Sequence, residues 1–177
     1  MKKFAFFLLI SLSVLGCTSP TGSTGPSFQL SYATGLVDSA LDGRMLLLIA
    51  KGEESEPRFQ INDGPSTGLV YGADVSGLAA GKAVLVDADT FGYPIQSLAD
   101  LPAGEYYVQG LLHRYETFHL STGYTVKLPM DYNEGQQWNR SPGNLYSKSQ
   151  KIEVKAGQNQ TFDIVLDQII PPIDSPT

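Results

Sequence analysis

From Phe28 onward apolar and polar positions alternate with a period of two, and the runs are broken by Gly, Pro, Asn and Asp. Successive side chains on a strand point to opposite faces, so this pattern predicts strands separated by turns. Phe28, Leu30 and Tyr32 alternate with Gln29 and Ser31, giving a first strand with one buried face. Met45 to Ala50 is apolar throughout, which fits a central strand covered on both faces. Further strands are predicted over Arg58–Ile61, Leu69–Val75, Ala83–Asp87, Glu105–Tyr115, Tyr124–Leu128, Lys151–Lys155 and Gln160–Leu166. Helical periodicity is nearly absent. Short strands at this spacing, without helices between them, predict an all-β fold, an antiparallel β-sandwich.

The start of the chain follows a different rule. Lys2 and Lys3 precede an apolar stretch of 12 residues, Phe4 to Leu15, and then Gly16 and Cys17. A hydrocarbon core takes about 20 residues to cross, so the stretch reads as the apolar part of an export signal rather than a membrane span. Val14-Leu15-Gly16-Cys17 resembles the lipobox of bacterial lipoproteins, in which a cysteine receives lipid and becomes the mature N-terminus. The resemblance implies a signal peptide over residues 1–16, lipidation (palmitate among the acyl chains) at Cys17, and residence on a membrane of the cell envelope. Thr18, where Asp would resemble an inner-membrane retention signal, points to the outer membrane. Residues 18–27 are short, polar and rich in Gly and Pro, a composition that reads as a flexible tether. The expected division is therefore signal 1–16, lipidated cysteine and tether 17–27, sandwich 28–173 and tail 174–177.

Composition narrows the partners. Without residues 1–16 the chain has 177 − 16 = 161 residues, enough for one domain with a real core. Its charge is then 10 − 18 = −8, with no basic run, which argues against nucleic acid. Cys17 is the single cysteine, so the disulfide of a true antibody domain is ruled out.

Candidate chemistry is sparse. Gly64-Pro65-Ser66-Thr67-Gly68 has the letters of a nucleophile elbow, and Asp87, Asp100, His113 and His119 follow downstream. The elbow needs a strand before the serine and a helix after it, and here Leu69-Val70-Tyr71 reads as a strand, so a turn is expected. His113, Glu116 and His119 lack the helix spacing or cysteine pair of a zinc site. Asp87, Asp89 and Thr90 lack the glycine and distal glutamate of a calcium loop. No cofactor or metal is expected. The stretch Met130 to Ser147 is long for a connection inside a sandwich, and such loops are functional or pinned by their own side chains. Asp131, Glu134, Gln136, Gln137, Trp138, Asn139 and Arg140 in it offer a ring to stack on and groups to hydrogen-bond a ligand or partner. The other reading is an Ω-loop that satisfies its own backbone while Trp138 caps the core.

Leu98-Ala99-Asp100-Leu101-Pro102-Ala103-Gly104-Glu105-Tyr106-Tyr107-Val108 looks like the turn-into-strand of prealbumin-like and immunoglobulin-like accessory modules. Phe91-Gly92-Tyr93-Pro94, the segment Leu98 to Gln109, Tyr115 to His119, and Glu134 to Ser147 together resemble the N-terminal β-rich region of large bacterial esterase-family proteins. Pro57-Arg58-Phe59 and Ile169-Ile170-Pro171-Pro172 extend the similarity to roughly residues 44–173. In those proteins an α/β-hydrolase domain carrying the catalytic residues follows this region, and here the chain ends at Thr177. The resemblance thus implies an immunoglobulin-like accessory module without catalytic residues, found beside an exported hydrolase, and its Trp138 loop is expected to meet such a partner or a ligand such as a glycan. The competing expectation is an exported hydrolase, or a piece of one.

Overall fold

The computed structural model describes residues 25–173; Cys17 and the segments expected to form the export signal, most of the tether and the tail lie outside the described residues. The described chain is nearly all β, a sandwich of two sheets with a separate hairpin. The smaller sheet holds β1 (Ser27–Tyr32), β4 (Val84–Val86) and β11 (Thr161–Leu166), in the order β11-β1-β4. The larger sheet runs β12-β9-β6-β2-β3-β5 through β2 (Leu41–Ala50), β3 (Leu69–Leu78), β5 (Gly92–Tyr93), β6 (Gly104–Arg114), β9 (Leu145–Tyr146) and β12 (Gln168–Ile169). β10 (Gln150–Val154) pairs with the first half of β6. β7 (Glu116–His119) and β8 (Thr125–Leu128) form the hairpin.

Alternation in the sequence becomes burial in the fold. Phe28, Leu30 and Tyr32 on β1 face Met45, Leu47 and Ile49 on β2 across a core completed by Tyr71, Val108, Leu112, Ile164 and Leu166. β2 is central, so both of its faces are covered along its second half. Leu46 and Leu48 are also buried, in a second apolar cluster on the opposite face of the larger sheet. The both-faces burial expected of Met45–Ala50 is what the structure shows.

Three details depart from the expectation. β1 and β11 pair in parallel, Ser27 opposite Thr161 through Tyr32 opposite Leu166, so the sandwich is not purely antiparallel. Parallel partners need a long crossover, and here nearly the whole domain lies between them. Arg58–Ile61 is not a strand: Pro57 has no amide hydrogen for a ladder, and Pro57–Phe59 closes as a 3-10 turn, with Phe59 N donating to Glu56 O at 2.9 Å. Short strands β5, β7, β9 and β12 were not expected at all.

The ends of the sandwich differ. β1 begins beside Ala99, near the start of β6, whereas Tyr32 at its far end donates to Leu78 O at 2.9 Å. The hairpin continues from the end of β6 and so projects from the end opposite Ser27, with Tyr124 73% exposed. Lys127 secures its base, 2.9 Å from Asp42 Oδ2.

Candidate functional site

The outer face of the larger sheet is assembled from distant segments. Antiparallel register places Val70, Leu48 and Gln109 in one row and Gly72, Leu46, Leu111 and Tyr146 in the next. Gln109 is fully buried and uses its whole amide: Oε1 accepts from Arg58 N at 3.1 Å, and Nε2 donates to Glu56 Oε2 at 2.7 Å and Ser147 O at 2.8 Å. Arg58, also buried, lies between two rings, its Cζ 4.1 Å from the Tyr146 centroid and 4.6 Å from that of Phe59. Its Nε is 3.0 Å from Glu56 Oε2, an ion pair whose angle is too poor for a hydrogen bond. Stacked and ion-paired in this way, a guanidinium can be held in a half-dry site.

The loop singled out in the sequence closes over this network and divides in two. Trp138 and Asn139 are half-buried and turn inward: Trp138 packs on the second apolar cluster, and Asn139 Nδ2 donates to Arg58 O at 3.1 Å while Arg58 Nη1 donates to Asn139 O at 3.3 Å. Asn144 Nδ2 fixes the tryptophan's own carbonyl at 2.8 Å. Glu134 is buried as well and accepts from Tyr132 N at 2.6 Å. Burial lowers the pKa of His113, and the negative charge of Glu134 partly offsets that shift. Asp131, Gln136, Gln137 and Arg140 are exposed, with Arg140 Cζ 5.6 Å from the Phe59 ring centroid. Gln136 holds φ at 62° and Asn133 at 74°, a left-handed backbone that favours glycine and costs other residues about 1–2 kcal/mol.

Beside the covered half, the sheet face stays open. Arg44, Leu46, Val70, Gly72, Phe91 and Tyr93 line a groove of about 170 Å³. Phe91 is 66% and Tyr93 57% exposed, two rings flanking Gly92, the first just before the edge strand β5 and the second on it. Val70 lies directly opposite Tyr93, so their side chains share this face, and Arg44 Nη1 is held there by Asp74 Oδ1 at 2.6 Å. The strand comes close because Gly92 has no side chain: a Cβ there would enter the Tyr71 ring. Sequence reasoning did not find this groove. Its signal was the Phe-Gly-Tyr triplet, quoted for resemblance and not for exposure.

Ser66 lies on a larger cleft of about 440 Å³ at the end of the sandwich where β2 and β3 meet the turn before β6. The Gly64–Gly68 segment is a turn held by Gly64 N donating to Asn62 Oδ1 at 2.8 Å and Gly68 N to Gln60 O at 2.8 Å. Neither histidine is nearby. Ile49 lines the cleft, whereas His113 pairs with Arg44, five residues along β2, or about 16 Å at ~3.3 Å per residue. His119 lies on the hairpin, its Nδ1 3.0 Å from Thr125 Oγ1. Asp87 closes its own turn, accepting from Asp89 N at 3.1 Å. Among the described residues no three His, Cys, Asp or Glu side chains converge as metal ligands, and no helix is long and apolar enough to cross a membrane.

What these parts define is an all-β sandwich with one sealed and one open half on the outer face of its larger sheet. No protein family, no curated protein and no solved structure matches the chain.

Proposed function

We propose that the chain is a lipid-anchored, non-catalytic binding module of the cell envelope, attached through Cys17 to the outer membrane, that presents the outer face of its larger sheet to a glycan. The observation that carries this reading is the pair of exposed rings, Phe91 and Tyr93, beside Arg44 in an open groove. Flat aromatic faces pack against the C–H faces of sugar rings, and a guanidinium supplies donors for hydroxyl or acidic groups. The loop from Asp131 to Arg140 borders this surface, with Trp138 packed on the same apolar cluster as Val70. The anchoring rests on the lipobox-like sequence, and the accessory role beside an exported hydrolase rests on the resemblance to esterase-family proteins. With β1 starting at one end and the hairpin at the other, an N-terminal anchor leaves the sheet faces lateral and reachable.

Titrating the purified protein with cell-envelope glycans while following Trp138 fluorescence tests the binding. Saturable change that Tyr93→Ala and Phe91→Ala each weaken at least tenfold is expected; binding untouched by both substitutions refutes the groove. Labelled palmitate that still incorporates after Cys17→Ala would refute the anchor. p-Nitrophenyl ester turnover abolished by Ser66→Ala would replace the module with the hydrolase reading.

A further inference from the structure

We infer that the 440 Å³ cleft is a second binding site, for a short peptide that ends in an apolar residue with a free carboxylate. Its volume falls in the range of small-ligand sites, and it shares no lining residue with the Phe91–Tyr93 groove. The floor is apolar, built from Ile49, Leu69, Leu101 and Tyr106. Three side-chain donors there are already engaged inside the protein. Gln60 Nε2 donates to Gly52 O at 3.0 Å and Ser55 O at 2.6 Å, Thr67 Oγ1 to Gly68 O at 3.1 Å, and Tyr106 Oη to Pro102 O at 2.8 Å. The floor therefore favours an apolar group over one that would compete for those donors.

Shape and charge choose among apolar ligands. The cleft is open on one side, so a long acyl chain laid in it would keep many methylenes in water, whereas a compact side chain is covered. Pro65, Pro94 and Pro102 form much of the rim, and their fixed φ means that little backbone freedom is lost on binding. Lys51 is the one cation in the lining and makes no ion pair among the described residues. Ser66 is exposed on the same rim, with its hydroxyl uncommitted, whereas the Glu54 carboxylate is folded back over Gly52. A cation and a free hydroxyl above an apolar floor complement a terminal carboxylate next to an apolar side chain.

The test is an amide-resolved NMR titration of the purified protein with acetyl-Ala-Leu-Leu as the free acid and as the C-terminal amide. The acid is expected to shift Lys51, Gly52, Gly68 and Leu69 and to bind about fivefold more tightly than the amide, the scale of one partly exposed ion pair. Lys51→Gln should bring the acid down to the amide without changing the amide. Ser66→Trp, at an exposed rim position, should block both while the thermal midpoint stays put. Equal affinity for acid and amide, shifts confined to other residues, or no shift at millimolar peptide each overturns the proposal. Tyr93→Ala should leave these titrations unchanged, so failure here is separable from failure of the glycan site.

Discussion

Replacing Gln109 by Leu, nearly the same in volume, removes three hydrogen bonds without opening a large cavity. Arg58 N–H and Ser147 C=O lose their side-chain partner in a buried place, at about 1–3 kcal/mol each. Glu56, 40% exposed, turns to water at smaller cost. Burying leucine offsets about 1–2 kcal/mol. The net expectation is a loss of about 2–3 kcal/mol, or about 5–10 °C in midpoint for a domain of this size. Trp138 is the single tryptophan and sits in the loop that this network docks, so urea unfolding followed by its emission measures the effect where it arises. Red-shifted emission should appear before the far-ultraviolet signal of the sheets is lost. Gln109→Glu should be worse at neutral pH, since a carboxylate would then face Glu56 and the Ser147 carbonyl, and should recover as acid protonates it. If Gln109→Leu unfolds within about 1 °C of the native protein with unchanged emission, the loop is not held by this residue, and the account of the sealed half is wrong.

Two further substitutions probe the core. Gly92→Ala drives a methyl into the buried Tyr71 ring and should cost about 1–3 kcal/mol by calorimetry while stripping the exposed rings from the groove; a neutral result would deny the close approach of β5. Tyr71 Oη has no hydrogen-bond partner among the described residues, so Tyr71→Phe should be at least as stable as the native protein at pH 7. Burial, with smaller effects from Asp100 and Tyr106, pushes this phenol up to about 12. Because the folded state holds the proton more tightly than the unfolded one, stability is full below pH ~10 and falls by about 2–3 kcal/mol as pH climbs towards 12. Urea midpoints at pH 8 and 11.5 should therefore draw closer in Tyr71→Phe, the remaining gap coming from Tyr32, Tyr106, Tyr107, Tyr132 and Lys151, which are shifted the same way.

Long strands were legible because each carries a repeating burial demand. Phe28–Tyr32 alternates, Met45–Ala50 does not, and the two patterns correctly separated a strand with one buried face from one covered on both. Two-residue strands such as Gly92–Tyr93 and Leu145–Tyr146 have no period to read; they exist because longer strands offer them an edge. Arg58–Ile61 misled since its apolar residues belong to a cover lying on the sheet, not to the sheet itself. The loop around Trp138 stood out by length and composition, yet which side chains turn inward is decided by Arg58, 81 residues earlier in the chain. Pairing at that separation leaves no local trace, and for the same reason the groove, which needs Val70 opposite Tyr93, stayed hidden.

The parallel pairing of β1 bears on how the domain would carry tension. A pull entering at Ser27 runs along the axis of a strand clamped between β11 and β4, with six register pairs on one side and three on the other. Load of that direction strains the ladder bonds together in shear, whereas a strand peeled from its end would lose them one at a time. The point where the chain enters the described fold is thus built as a mechanical grip.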